Sequence, residues 1–121
     1  MSVVIDGSNG VDIGAGNLTF PDNTTQTTAP TSIGVGQTWQ NVTASRASNT
    51  VYTNSTGKPI QVAIIGNQSN TGISLTIGGV LVANATMVSG YSQPAWVGGI
   101  VPNGATYQIN AVAFSNWAEL R

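Results

Sequence analysis

The chain contains neither cysteine nor histidine among its 121 residues. Without cysteine no disulfide can form, so stability has to come from packing or from assembly with other copies. Without histidine the chain lacks the commonest general base and the commonest transition-metal ligand. These absences argue against zinc and copper sites, and we expect neither a metal nor a cofactor.

Charged residues are scarce as well, at 6% of the chain against about 25% in an average soluble domain. The seven charged residues are Asp6, Asp12, Asp22, Arg46, Lys58, Glu119 and Arg121. A net charge of −1 offers no basic surface to nucleic acid. No apolar run reaches the length of a membrane-spanning helix, so membrane insertion is not expected either. Asn, Gln, Ser and Thr must keep the surface soluble, which is typical of extracellular and virion β-proteins.

The sequence also lacks the usual sets of catalytic residues. Glycosidases need two facing carboxylates, and residues 37–121 contain a single acid, Glu119. A serine or threonine nucleophile needs a base, and only Lys58, in a predicted turn, is available. We therefore expect no enzyme activity and no catalytic residue. Glu119 is instead expected to form an ion pair with Arg46, Lys58 or Arg121.

The patterns that are present indicate β-structure. Apolar residues do not recur at helical spacing over three turns in any window, and only residues 116–120 could form a single helical turn. Short alternating segments predict strands at 38–43, 50–53, 59–65, 73–77, 80–83, 95–101 and 105–114. Turn clusters rich in Gly, Asn and Ser separate them. Seven or eight short strands predict an all-β fold, an antiparallel β-sandwich or jelly roll.

One hairpin is especially clear. Gly78–Gly79 is a two-residue loop suited to a primed turn, because glycine accepts positive φ without steric cost. The predicted cross-strand pairs are Ile77 with Val80 and Leu75 with Val82. These four residues and Ile73 are then expected to line one buried face.

Residues 1–30 differ from the rest. Their apolar segments are two or three residues long and are separated by Gly-rich turns. One copy cannot build a core from them, whereas three copies wound about an axis could bury them; the alternative is a disordered arm. We predict a fibre stem at 1–30, a linker at 31–36 and a head at 37–121.

The aromatic residues suggest two kinds of position. Trp39 and Trp117 are expected in the core or at a subunit interface. Tyr91 and Trp96 flank a loop-like segment that also holds Gln93, and sugar-binding sites commonly stack an aromatic ring on a sugar beside amide donors. This segment is either such a site or, alternatively, core or interface.

Several stretches resemble a known family. Residues 18–29 are similar to the stem of tailed-bacteriophage tail fibres, which often carry Phe-Pro-Asp-Gly-Thr-x-Gln-Thr-Thr-Ala before the terminal head. Asn23 stands where that pattern has Gly, and Asn also tolerates the left-handed conformation. Residues 36–46, 52–60, 101–107 and 117–121 resemble the C-terminal, distal domain of phage and prophage tail-fibre proteins.

The resemblance implies a homotrimer at the distal end of a virion tail fibre, with an intertwined stem and a β-sandwich head. It also implies a partner on the bacterial surface, a glycan or an outer-membrane protein. The variable part of the family pattern falls between about residues 67 and 98. Candidate receptor-binding residues there are Tyr91, Gln93, Trp96, Asn67, Gln68 and Asn70. The alternatives are a structural fibre or collar segment without a receptor role, and a sugar-binding lectin domain.

Overall fold

A computed structural model describes residues 4–6, 10–12, 18–19, 21–23, 25–26, 32–67, 72–86 and 94–121. The chain forms two compact units, Met1–Pro30 and Thr31–Arg121. Within the described ranges the structure is all-β except for one turn of 3-10 helix at Thr43–Ser45. None of the described elements is a helix long and apolar enough to cross a membrane.

The N-terminal unit contains two small antiparallel strand pairs. Its strands are β1 (Val4–Asp6), β2 (Gly10–Asp12), β3 (Leu18–Thr19) and β4 (Thr25–Gln26). β1 pairs with β2, and β3 pairs with β4. Between β3 and β4, Asn23 has a φ of 63°, the left-handed region that asparagine tolerates better than most residues. Pairs this short are not stable in isolation, so they depend on other contacts.

The C-terminal unit contains two antiparallel four-stranded sheets. Its strands are β5 (Trp39–Asn41), β6 (Tyr52–Thr53), β7 (Ile60–Gly66), β8 (Ile73–Ile77), β9 (Val80–Ala85), β10 (Trp96–Val101), β11 (Thr106–Asn110) and β12 (Phe114–Leu120). The first sheet has the order β10-β7-β12-β5, and the second has the order β6-β11-β8-β9. The all-β prediction is confirmed.

Buried residues of both sheets form one hydrophobic core. The first sheet contributes Ile60, Val62, Ile64, Val97, Val101 and Trp117, and the second contributes Ile73, Leu75, Ile77, Tyr107 and Ile109. The predicted alternation of β7 is confirmed, since Ile60, Val62 and Ile64 are buried while the residues between them are partly exposed. Alternation of this kind places every second side chain of a strand on the opposite face of the sheet.

The predicted hairpin is only partly correct. Gly78 and Gly79 form its turn with φ values of 57° and 82°, as a type I′ turn requires, and Ile77 pairs with Val80. Leu75, however, pairs with Ala83 instead of Val82, because β9 carries one extra residue at a register shift. The prediction of a fully buried face is wrong for β9. Val80, Leu81 and Val82 expose 63%, 58% and 48% of their surface on an edge strand.

Residues 116–120, for which the sequence allowed a single helical turn, belong instead to the strand β12. Trp117 and Glu119 are buried while their neighbours are partly exposed, which is the period of a strand. Trp117 lies in the core, as expected, with Tyr52, Tyr107 and Phe114 packed around its ring at centroid distances of 5.4–6.3 Å. β12 lies between β7 and β5 and therefore occupies an interior position of the first sheet.

Asn54 organises the turn that leads into β7. It is buried, and its Nδ2 donates to the carbonyl oxygens of Lys58, Val101 and Pro102 at 2.7–3.2 Å. Its Oδ1 accepts hydrogen bonds from the backbone N–H and the hydroxyl of Thr56. A buried amide is stable only when its donors and acceptor are satisfied in this way.

Candidate functional site

The outer face of the first sheet is the strongest candidate for a binding surface. Residues paired across antiparallel strands share a face, so the observed register defines three rows across this sheet. The rows are Trp96–Ile65–Asn116, Gly98–Ala63–Ala118–Asn41 and Ile100–Gln61–Leu120–Trp39. We call these eleven positions the tryptophan face. The opposite side of the same strands carries core residues, so the tryptophan face points away from the core.

The six-membered ring of Trp96 lies over Gly98 on this face. A methyl group placed on Gly98 would meet Cζ2 and Cη2 of Trp96 at 2.8 and 3.0 Å, so the indole covers the glycine. One side of the ring is thus held against the sheet, and the residue remains 58% exposed. Glycine is required at this point because any side chain would push the ring away. The indole of Trp96 therefore contacts the sheet at Gly98 and leaves more than half of the residue's surface open to solvent.

A second tryptophan occupies the diagonally opposite corner. Trp39 is 53% exposed on the edge strand β5 and pairs with Leu120. The expectation that Trp39 lies in the core is therefore wrong, and the expectation of a subunit interface stays a prediction. Three strand spacings and four residues along the strands separate Trp39 from Trp96, which corresponds to about 20 Å.

Amide side chains lie between the two tryptophans, and charged residues do not. Asn41 donates through Nδ2 to Oδ1 of Asn116 at 3.3 Å, and Gln61 lies between Ile100 and Leu120. None of the eleven positions carries a charged residue. The middle row consists of glycine, alanines and one asparagine, which keeps the centre of the face low. This surface offers apolar contact and neutral hydrogen bonds without a local charge.

The charges of the C-terminal unit are held elsewhere. Glu119 is buried, and its carboxylate accepts hydrogen bonds from Nε and Nη2 of Arg46, from Nη1 of Arg121 and from the hydroxyl of Tyr107, all at 2.8–2.9 Å. The expected ion pair with Arg46 or Arg121 is therefore confirmed for both. Lys58 instead donates to the carbonyl oxygen of Val35. The guanidinium of Arg46 also lies 4.6 Å from the ring centre of Tyr52.

These contacts shift the protonation equilibria of the cluster. Burial raises the pKa of Glu119, but the hydrogen bonds from Arg46 and Tyr107 and the two positive charges outweigh it, so the pKa lies below its ordinary value. Burial, aided by the hydrogen bond to Glu119, raises the pKa of Tyr107 to about 12. The hydrogen bond to Glu119 raises the pKa of Arg46. The carboxylate therefore stays ionised and fully bound at neutral pH, and it is not a free acid or base.

The predicted receptor-binding residues fall into two groups. Trp96 lies on the tryptophan face, and Asn67 lies just beyond β7 at the same end of the sheet, two residues after Ile65, which pairs with Trp96. The backbone N–H of exposed Asn67 donates to the carbonyl oxygen of Ala113. Tyr91, Gln93, Gln68 and Asn70 lie outside the described residues.

Sequence reasoning missed the remainder of this face. Ile65, Ile100 and Leu120 belong to it, although apolar residues in strands are usually assigned to a core. The available signal was the strand 60–65, which carries apolar residues at both phases of its alternation. A strand with apolar residues on both faces predicts that its second face is also covered, either by another part of the protein or by a partner.

In chemical terms the tryptophan face can bind, but it has no group that could act as a nucleophile or general base. The described residues contain no cluster of acids, cysteines or histidines that could hold a metal ion. Stacking, apolar contact and amide hydrogen bonds are the interactions that remain, and they suit recognition. Comparison with family models, curated proteins and solved structures gives no match to this chain.

Proposed function

We propose that this chain is the distal, receptor-binding part of a tail fibre of a tailed bacteriophage or prophage, located on the virion and used for attachment to a bacterial surface receptor. The observation that carries the proposal is the uncharged tryptophan face, with two half-exposed indoles on one side of a single sheet. A monomeric protein seldom leaves two tryptophans exposed on one sheet face unless they contact a partner. The resemblance of the sequence to tail-fibre stems and heads supports the same role.

The proposed role is binding without catalysis. Its support is chemical, since the chain has no histidine and no cysteine, and the acid of residues 37–121 is enclosed by two arginines and a tyrosine. A carboxylate committed to these partners cannot take up and release protons near neutral pH. Incubation with capsule or lipopolysaccharide from a bound strain should release no fragments. Cleavage by a homogeneous preparation would contradict this part of the proposal.

The proposed architecture is a homotrimer with an intertwined stem and a β-sandwich, jelly-roll-like head. The strand pairs of the N-terminal unit are two or three residues long, which favours stabilisation by other copies. The core shared by two four-stranded sheets favours the sandwich. Light scattering after gel filtration should give three times the chain mass of 12.3 kDa. A monomer would refute the trimer and would favour a lectin-like single domain.

Cell binding tests the function directly. Fluorescently labelled protein should bind a subset of bacterial strains in a saturable manner, and unlabelled protein should compete. Three sites on one tip raise the apparent affinity without any new contact, so a trimer is expected to bind cells more tightly than an isolated site would. Failure to bind any strain of a broad panel would refute the receptor role and leave the structural-fibre alternative.

A further inference from the structure

Resting on the proposed function, we propose that the receptor is an uncharged polysaccharide, and that one of its sugar rings stacks on the outer side of the Trp96 indole. The sequence resemblance leaves a glycan and an outer-membrane protein open, and the fold does not choose between them. The choice follows from three features of the tryptophan face: its lack of charge, the exposure of its indoles and the presence of its amides.

The lack of charge on the tryptophan face argues against an ionic ligand. A carboxylated or phosphorylated polysaccharide is normally held by arginine or lysine, which form strong charge-assisted hydrogen bonds with such groups. Arg46 and Arg121 are bound to Glu119, and Lys58 donates to a backbone oxygen. The face itself carries no charge, so an ionic ligand would lose hydration without gaining a counter-charge. A neutral ligand does not meet this penalty.

The exposed indole favours a sugar over a protein. The ring of Trp96 contacts Gly98, and 58% of the residue is open to solvent on a face without a pocket-forming large side chain in its middle row. The C–H face of a sugar ring is flat, apolar and of similar size, and it contacts an indole over its whole area. A protein partner usually inserts a side chain into a concave site at the centre of an interface. The low middle row of small residues makes no such cavity.

The amide side chains of the tryptophan face can orient a bound sugar through hydrogen bonds. A sugar ring carries hydroxyl groups around its edge, and these both donate and accept hydrogen bonds. Asn116 lies in the row of Trp96 and Gln61 in the row of Trp39, and amide side chains also donate and accept. Trp39, at about 20 Å from Trp96, offers a second exposed indole along the path of an extended chain. The geometry therefore suits a linear polysaccharide that lies across the sheet.

The first experiment uses cells of a strain that the intact protein binds. Periodate, which cleaves sugar diols, should abolish binding, and protease treatment should leave it. Binding should also change less than about twofold between about 0.05 and 0.5 M NaCl, because no ion pair is formed. Loss of binding after protease alone would identify a protein receptor and overturn this inference while leaving the proposed function intact. If no strain binds, the proposed function itself fails.

The second experiment uses the extracted surface polysaccharide of that strain, separated into neutral and acidic fractions. The neutral fraction should change the fluorescence of the exposed tryptophans, and the acidic fraction should not. Trp96→Ala should weaken binding by at least about tenfold, and Trp96→Phe should restore most of it because it keeps a flat ring. Gln108→Ala, on the outer face of the second sheet, is the matched control and should bind normally. Equal binding by Trp96→Ala and the control, or a response to the acidic fraction alone, would overturn the proposal.

Discussion

The two sheets of the C-terminal unit share one core but differ on their outer faces. The first carries two tryptophans, two isoleucines and a leucine among its eleven outer positions. The second carries mostly short polar residues there, namely Thr53, Thr106, Thr76, Gln108, Ser74, Asn110 and Asn84, with Leu81 at its edge. Both compositions form stable strands, so strand formation does not explain the difference. The contrast is the one expected if the first face contacts a partner, as proposed, and the second faces solvent.

A charged residue, Glu119, lies on the inner side of the first sheet, whereas the tryptophan face carries none. The ion-paired cluster connects Glu119 of the first sheet with Tyr107 of the second, and Arg46 contacts both. One buried carboxylate and two partly buried guanidinium groups thus pair with one another. Three of the four charged side chains of the C-terminal unit are therefore used in its packing, while its outer faces carry amides, hydroxyls and indoles.

The largest expected effect tests this placement of charge. Arg46→Met removes two of the four hydrogen bonds to the buried carboxylate and leaves Arg121 and Tyr107 in place, so we expect a loss of about 2–3 kcal/mol, below that of a fully unpaired buried charge. The free energy of unfolding, measured by denaturant titration, should fall by that amount. Lys58→Met is the matched control and should change it by less than about 1 kcal/mol, because Lys58 donates only to a backbone oxygen. Similar losses in both variants would contradict the structural role of the cluster.

Acid should produce a smaller effect through the same cluster. The pKa of Glu119 is lower in the folded than in the unfolded state, so its stabilisation is complete above the ordinary value of 4.5 and is lost as pH falls through the folded pKa. The loss is smaller than for Arg46→Met, since protonation also removes the buried negative charge. Thermal unfolding between neutral pH and about pH 2 should show this loss. Glu119→Gln should show a flatter profile; an identical profile would assign the loss to other carboxylates.

Substitutions at two adjacent glycines of β10 test the outer face and the core separately, because the side-chain positions of Gly98 and Gly99 lie on opposite sides of the sheet. Gly98→Ala places a methyl group 2.9 Å from the backbone oxygen of Val62 and against the Trp96 ring, which should cost about 1–3 kcal/mol. Gly99→Ala points into the core and meets only the ends of Ile77, Leu75 and Val82 side chains, which can shift. We expect a smaller loss there in denaturant titrations. A larger loss for Gly99→Ala would show that the core tolerates less adjustment than the face.

The smallest effect concerns the polar outer face of the second sheet. Thr76→Ala should change the free energy of unfolding by less than about 0.5 kcal/mol and should leave cell binding unchanged. Thr76 is half-buried between Gln108 and Leu81 and makes no contact with the tryptophan face. Chemical denaturation and the cell-binding assay measure both quantities on one preparation. Loss of cell binding in this variant would move the receptor site to the second sheet.

Local patterns in the sequence were sufficient to predict part of this fold. The alternation of 60–65 identified β7, and Gly78–Gly79 identified the hairpin turn, because both signals lie within a few residues. The bulge at Val82 was not predictable, since it is a choice of register between two strands and leaves no mark on composition. The strand at 116–120 was missed because its partners, β7 and β5, lie about 50 and 80 residues earlier in the chain.

The candidate site was predictable only in part for the same reason. Trp96 was identified from its aromatic and amide neighbours in the sequence. Trp39 was placed in the core or at an interface, because sequence alone cannot say which side of an edge strand faces solvent. The rows that bring Trp96, Ile65 and Asn116 together depend on pairing across three strands. Long-range register, and not residue type, determines the composition of that face.

The interior position of β12 has a consequence for biosynthesis. The ribosome makes β5 and β7 long before β12, yet β12 is the strand that joins them. Until residues 114–120 emerge, the first sheet lacks a middle, Trp117 is missing from the core, and Arg46 has no carboxylate to bind. The first sheet therefore cannot be completed until translation reaches β12. We expect a product that stops before β12 to expose unpaired strand edges and to be a target for quality-control proteases.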